Sequence, residues 1–197
     1  MLSIQKLSIH KRRTGCAWLL GLVLSVTSAA GVGSPRLEAG FSPDGSARKL
    51  VLRVIDNAQQ SLIAMAYVFT SRDVSDALIR AHKRGVKVRL LIDAKANFGE
   101  SGRRAASRHR QYQHSMRVLE HCRKAGISIR SVRLRRGIAH DKFIVADERH
   151  VQTGSFNYTQ SAARRNTENV LVAWNAPKLT SRYIEHWRKY WRRGKAF

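Results

Sequence analysis

The sequence predicts an α/β fold in a single domain, on three observations. Its 197 residues with 43% hydrophobic content suffice for one core and not for two. Short β-rich apolar runs alternate with stretches whose apolar residues recur at helical spacing. That alternation calls for a layered sheet with at least some parallel pairing, and neither an internal repeat nor a low-complexity segment interrupts it.

Residues 1–30 stand apart from the domain. Lys6, Lys11, Arg12 and Arg13 form a positive start, Ala17 to Val26 an apolar segment, and Thr27-Ser28-Ala29-Ala30 offers small residues for cleavage. This is the pattern of a secretory signal peptide. The apolar run from Cys16 to Ala30 falls short of the ~20 residues of a spanning helix, which favours cleavage over an uncleaved anchor. Export, to the periplasm or beyond the cell, follows on either reading. Cleavage would remove four basic and no acidic side chains and leave +20 of the formal charge of +24. It would also remove Cys16, leaving Cys122 with no partner in the chain and the expected role of a small buried residue. Charge of this size and sign attracts polyanions, nucleic acid first and an anionic membrane surface second.

Residues 31–46, rich in Gly, Ser and Pro, read as a linker, which places the domain at 47–197. Ala47, Leu50, Val51, Val54, Ile55 and Ala58 then mark a helix, and SLIAMAYVF from Ser61 a buried strand. Val74, Ala77, Leu78 and Ala81 line a second helix, with Thr70 or Ser71 as cap, Lys83 and Arg84 in the last turn and Gly85 as the stop. Val86 to Asp93 is the next strand. Between Gly99 and Lys124, Arg103, Arg104, Arg108, Arg110, Arg117 and Arg123 interleave with His109, His114, His121 and Tyr112. This segment reads as a solvated loop and helix face with Met116, Leu119 and Cys122 turned inward. It reads equally as a surface that tracks a nucleic-acid backbone, with Tyr112 or Phe98 for base stacking. Ile127 to Leu134 alternates like a half-buried strand, and Arg130, Arg133, Arg135 and Arg136 carry charge toward the segment that follows. Glu168 to Trp174 is the last strand. A closing helix from about Pro177 to Arg193 places Leu179, Tyr183, Ile184, Trp187, Tyr190 and Trp191 on one core-facing side.

The chemistry is concentrated in His140 to Asn157, HDKFIVADERHVQTGSFN. On a strand His140 and Lys142 project from the same face and Asp141 from the other. Phe143–Ala146 and His150–Thr153 read as a hairpin about the turn Asp147-Glu148-Arg149. Gly154 lets the backbone turn closely, and Ser155 and Asn157 stand at the start of a short helix reaching Ala163, whose free N–H groups would seat a phosphate. Lys142, Ser155 and Asn157 suit the non-bridging oxygens of a phosphodiester. His140 has a nitrogen able to attack phosphorus and a pKa near neutrality. Glu168, at the start of a strand, is placed to accept a hydrogen bond from the second imidazole nitrogen. His140 and Asp141 diverge and no Cys/His cluster has ligand spacing, so chemistry without a metal or other cofactor is expected. The remaining histidines read as structural.

The spacing H-x-K-x4-D-x6-G-S-x-N, filled here by His140, Lys142, Asp147, Gly154, Ser155 and Asn157, resembles the signature of the phospholipase D superfamily. The resemblance covers most of the chain from about Ala47. It implies a mixed, largely parallel β-sheet flanked by helices on both faces. Asp147 belongs to the signature, and its turn position leaves a structural and a catalytic role both open. Similar single-motif nucleases carry a glutamate at the distance of Glu168. The chain holds one copy of the motif, whereas attack on phosphorus and protonation of the leaving oxygen ask for imidazoles on opposite sides. A C2 homodimer would supply both. The likeness to single-motif bacterial endonucleases implies that arrangement: one histidine forms a phosphohistidine while its partner donates and then accepts a proton.

The expected activity is therefore exported, metal-independent, sequence-nonspecific cleavage of DNA, with RNA as a second substrate. His140, Lys142, Asp147 and Glu168 are the catalytic candidates, and Gly154, Ser155 and Asn157 the phosphate-binding ones. Arg103, Arg104, Arg108, Arg133, Arg135 and Arg136 are the candidates for nucleic-acid contact. The signature alone also fits a lipid phosphodiesterase or phosphatidyl transferase, and the charge alone a nucleic-acid-binding module with a silent site.

Overall fold

The computed structural model describes residues 34–99 and 109–197. The expected signal peptide, Cys16, Arg103, Arg104 and Arg108 lie outside the described residues. Strands β1 (Arg36–Ser42), β2 (Ser61–Ala66), β3 (Lys87–Asp93), β4 (Ser128–Val132), β5 (Lys142–Ala146), β6 (His150–Gly154), β7 (Glu168–Trp174) and β8 (Lys195–Ala196) form one sheet in the order β1-β7-β6-β5-β2-β3-β4-β8. Helices α1 (Ser46–Asn57), α2 (Arg72–Lys83), α3 (Ala94–Phe98), α4 (His109–Lys124), α5 (Gln160–Arg164) and α6 (Pro177–Arg193) complete the described chain.

The fold is α/β and the sheet mixed, as expected, but "largely parallel" needs correction. Only β2–β3 and β3–β4 pair in parallel, and the other five pairings are antiparallel. The reason is local. Parallel neighbours need a crossover, which α2 and the segment containing α4 provide, whereas β5 and β6 are joined by a three-residue loop that permits only a hairpin. The linker expected at 31–46 is also corrected. Residues 36–42 pair with β7 along their whole length, Arg36 opposite Trp174 and Ser42 opposite Glu168. Leu37, Ala39 and Phe41 alternate with polar or small residues, a strand period that the flanking Gly, Ser and Pro obscured.

The two faces of the sheet are covered unequally. On one, α1, α2, α4 and α5 contribute Leu50, Val54, Leu78, Leu119 and Ala162 to a core with Leu62, Leu90 and Val172. On the other, Ile184 and Trp187 of α6 cover Met65, Leu91, Phe143 and Val145. Ser71 caps α2, its hydroxyl accepting from the Val74 amide, and Lys83 closes it. Cys122 is fully buried, and burial, then the charge of Asp76, pushes its thiol up to about 12, leaving it inert as a nucleophile. Leu179 and Met116 were expected inside but are 44% and 43% exposed. Leu179 sits in the first turn of α6, and Met116 lies just off the buried stripe of Ser115, Val118, Leu119 and Cys122.

Asp147 has a structural place. With Glu148 it occupies the centre of the β5–β6 turn, both at positive φ, closed by the Arg149 amide donating to the Ala146 carbonyl. Its carboxylate accepts from the amides of Gln59, Gln60 and Ser61 at 2.9, 2.7 and 2.9 Å, pinning the turn to the loop that leads into β2. Lys142 lies at the opposite end of β5, five residues or about 16 Å away at strand rise. The catalytic reading of Asp147 is therefore replaced by an anchoring one. Burial alone would raise its pKa, but the Ser61, Gln59 and Gln60 amides and His150 more than offset this and hold the carboxyl below its ordinary value. A depressed folded-state pKa adds stability above the unfolded value near ~3.9 that disappears as pH falls through the folded one. Asp147→Ala is expected to cost roughly 2–4 kcal/mol, because three amides lose a charged acceptor. In thermal melts the deficit against the parent should be full at neutral pH and shrink below about pH 4. A deficit that does not change across that range would contradict the anchoring role.

Candidate active site

The pairings bring six chain segments to one end of the sheet. β2, β3 and β4 finish there, β5 and β7 begin there, and β6 ends there, with Ala66 opposite Lys142, Phe143 opposite Thr153, and Gly154 opposite Val170. Lys142 is therefore the first residue of β5, and His140 stands just outside it. His140 is exposed, whereas Lys142 is only 7% exposed. The Lys142 ammonium donates to the His140 carbonyl at 2.6 Å and lies 3.2 Å from its Nδ1. With Nδ1 accepting, a neutral imidazole carries its proton on Nε2. Tyr67, one residue past β2, sets its ring edge-on to His140 at 4.5 Å between centroids and also lies under the Lys142 ammonium, 5.3 Å away.

Protein packed on the Tyr67 side partly desolvates His140 and lowers its pKa. The Lys142 charge lowers it further, and Asp141 and Asp93 act in opposition. Burial likewise holds Lys142 below the ordinary lysine value, against Asp141 and Glu168. The imidazole thus stays neutral to lower pH than usual, as a nucleophile requires. Removing Asp141 removes an attraction to the imidazolium. Asp141→Asn is expected to move the acid limb of the pH–rate profile to lower pH. A limb that stays in place or rises would separate Asp141 from His140.

Behind His140 lies a support that the sequence reading missed. Asp93, fully buried, accepts from the Ala139 amide at 2.8 Å and from the Ala96 amide at 2.7 Å, which fixes the residue before His140 and caps α3. Asn97, also buried, donates to the Tyr67 and Asp93 carbonyls and accepts from the Phe69 amide. On the open side, His186 of α6 reaches Asp141 at 3.4 Å. The only sequence signal for Asp93 was an acid ending an apolar strand. Nothing local marked Tyr67, Asn97 or His186, because β pairing and helix docking place them.

The second half of the motif follows β6. At Gly154, φ is 148°, and a Cβ would collide with the Asn169 carbonyl oxygen. Its role is this close approach of β7, rather than phosphate contact. Phe156 and Tyr158 are buried, the Tyr158 hydroxyl donating to Gln152, while Ser155 is exposed and Asn157 half-buried. The expected helix from Ser155 begins only at Gln160, capped by Thr159 accepting from Ala162, so its first amides do not stand at Ser155. The Asn157 side chain makes no hydrogen bond among the described residues, and its Oδ1 is buried.

Glu168 does not meet His140. Its oxygens accept from Ser155 Oγ at 2.6 Å and Asn166 Nδ2 at 2.8 Å, and Ser155 Oγ in turn accepts from the Asn169 amide. The expected Glu168–imidazole contact is therefore corrected: β6 and β7 are neighbours, which gives the carboxylate to Ser155, while His140 lies beyond β6 on the loop before β5. Ser155 spends its proton on Glu168, so Lys142 and Asn157 are the donors left facing the opening.

The arginines divide. Arg133, Arg135 and Arg136 are exposed at the site end of the sheet, in the loop after β4, with Arg133 donating to the Gly99 carbonyl. Arg130 is spent on the Trp191 carbonyl and ring. Phe98 stacks on Phe197 at 5.5 Å and is not free for a base.

Comparison with known proteins identifies the family. A family model described as cardiolipin synthase, PLD-like domain, matches residues 51–191. Among solved structures, Nuc, a phospholipase D family member from Salmonella typhimurium, is 40% identical, with a TM-score of 0.74 over 83% of this chain and 99% of that one. A phospholipase D of Rickettsia prowazekii is 35% identical over 147 residues, 75% of this chain and 63% of the relative. Human mitochondrial cardiolipin hydrolase is 30% identical over 155 residues, 77% of this chain and 54% of the relative. The chain thus spans less than two thirds of the length of these curated relatives.

Proposed function

The chain belongs to the phospholipase D superfamily, and from that premise we propose that it is an exported, sequence-nonspecific endonuclease that cleaves nucleic-acid phosphodiesters through a phosphohistidine. The observation that carries the choice of substrate is charge. The formal charge is +24, and Arg133, Arg135 and Arg136 stand at the same end of the sheet as His140 and Lys142. Such a field concentrates a polyanion at the site.

In the half-site Lys142 faces Nδ1, so a neutral imidazole carries its proton on Nε2; protonating a leaving oxygen takes the imidazolium, which gives up its Nε2 proton and is left neutral. Attack on phosphorus needs the other neutral form, with the proton on Nδ1 and the Nε2 lone pair free. Two copies of His140 across a two-fold axis divide these tasks: one attacks, its partner protonates the leaving oxygen and then takes a proton from the water that releases the phosphohistidine. The exposure of His140 supports such a composite site. Lys142 and Asn157 from each copy would meet the non-bridging oxygens.

A second reading has its own support, since relatives are named phospholipase D and cardiolipin hydrolase. The test is to offer protein lacking residues 1–30 plasmid DNA in EDTA, and separately phosphatidylglycerol and cardiolipin. Nicked plasmid with intact lipid is expected. Hydrolysed lipid with intact plasmid would favour the second reading, and a requirement for added divalent metal would overturn the mechanism.

A further inference from the structure

A groove of about 790 Å³ opens beside the motif, between α4 and the segment that follows β6. Asn157 forms part of its lining, so it adjoins the His140 site. Arg110, His114 and Arg117 line its α4 wall at spacings of four and three, which puts all three on one helical face. Arg165 stands on the opposite wall. Among the described residues no carboxylate lines the groove. Among the described residues Arg110 and Arg165 make no side-chain hydrogen bond or ion pair, and Arg117 bonds only the Gln113 carbonyl of its own helix. Some arginines elsewhere are matched by acids, Arg48, Arg80 and Arg123 by Asp73, Asp56 and Glu120. The cavity under α6 mixes Lys87, Arg89 and Arg188 with Asp147 and Glu148, and Asp147 marks it as lying at the far end of the sheet from His140.

We infer that this groove holds the polynucleotide strand flanking the cleaved bond, with Arg110, Arg117 and Arg165 on successive backbone phosphates. The inference rests on the nuclease reading and adds where the strand runs. Arg110 and Arg117 are about 10 Å apart along α4, seven residues at helical rise. A lipid headgroup with one phosphate cannot reach both, whereas a strand with one charge per nucleotide can. Among the described residues Val68 is the one aliphatic side chain in a lining otherwise polar or charged, which suits a solvated backbone and not an acyl chain.

The test is binding, read against salt. Full-length protein carrying His140→Ala, so that the ligand stays whole, is titrated with a fluorescent single-stranded oligonucleotide over a range of salt. Arg110→Gln, Arg117→Gln and Arg165→Gln are combined in one variant. A control combines Arg182→Gln, Lys189→Gln and Arg192→Gln on the outer side of α6, which removes the same formal charge. The groove variant is expected to bind tenfold or more weaker, with the slope of log affinity on log salt reduced by about 2, three phosphates at ~0.7 each. The control should keep the parent slope, and so should a variant with lysine at the three groove positions.

Equal losses from groove and control triples would mean diffuse attraction and overturn the proposal. So would an unchanged slope in the groove variant, or a lysine variant as impaired as the glutamine one. Loss of binding to phosphatidylglycerol vesicles in place of the oligonucleotide would assign the groove to lipid. A parent that binds no oligonucleotide refutes the nuclease reading itself, and a parent that binds as tightly as the groove variant refutes only the groove.

Discussion

His140→Ala is expected to lower phosphodiester cleavage by roughly a thousandfold or more, because it removes the imidazole of the motif, which can both attack phosphorus and carry a proton at neutral pH. Lys142 cannot substitute: buried and donating to the His140 carbonyl, its ammonium has no free lone pair. The arginines cannot either, since a guanidinium does not deprotonate in this pH range. Oligonucleotide binding should survive the substitution, because the cationic surface is untouched, and should weaken steeply with salt. The measurement is a plasmid-nicking rate beside an anisotropy titration on the same preparation. Residual cleavage within tenfold of the parent would remove His140 from the chemistry.

Mixing His140→Ala with parent protein is expected to lower activity quadratically. In a two-fold composite site both imidazoles act on one phosphate, so a dimer with one alanine is inactive. At equal amounts of the two chains, randomly exchanged, about one quarter of the dimers are intact and about one quarter of the activity should remain. If each chain worked alone, half would remain. Co-expression of differently tagged chains, with the mixed species purified and assayed separately, gives the same answer without relying on exchange. A mixed dimer with half the parent rate would sink the composite site. The expectation follows from geometry: His140 is exposed, its Nδ1 is occupied by Lys142, and Glu168 is engaged by Ser155 and Asn166. Among the described residues the neighbouring imidazoles are placed otherwise, His186 against Asp141 and His114 on the groove wall, so the second proton carrier is expected from a second copy of His140.

The motif residues were legible because their spacing is a local property. His140 and Lys142 meet by adjacency, and Ser155 and Asn157 follow the end of the neighbouring strand, where exposed Ser155 and half-buried Asn157 alternate with buried Phe156 and Tyr158. The helices α1, α2 and α6 were legible from apolar periodicity, and the β5–β6 hairpin from its turn composition. Edge strand β1 was not, because its alternating face lies partly open to solvent, with Leu37 65% and Phe41 55% exposed, between flanks that read as loop.

Partners across the sheet were beyond the sequence. Asp147 could be placed in a turn, but only the approach of residues 59–61 shows that its carboxylate is filled by three amides. Glu168 could be placed at the start of a strand, but the order β7-β6-β5 decides that it meets Ser155 and not His140. The sequence by itself determined which groups are available, how they are spaced along each element and the sign of the field around them, since these depend on neighbours a few residues away. The tertiary structure decided which group faces which: the setting of His140 between Lys142 and Tyr67, the buried Asp93 behind it and the arginine groove beside Asn157. Strand order and helix docking set those contacts through pairings of residues tens of positions apart, and no local pattern encodes them.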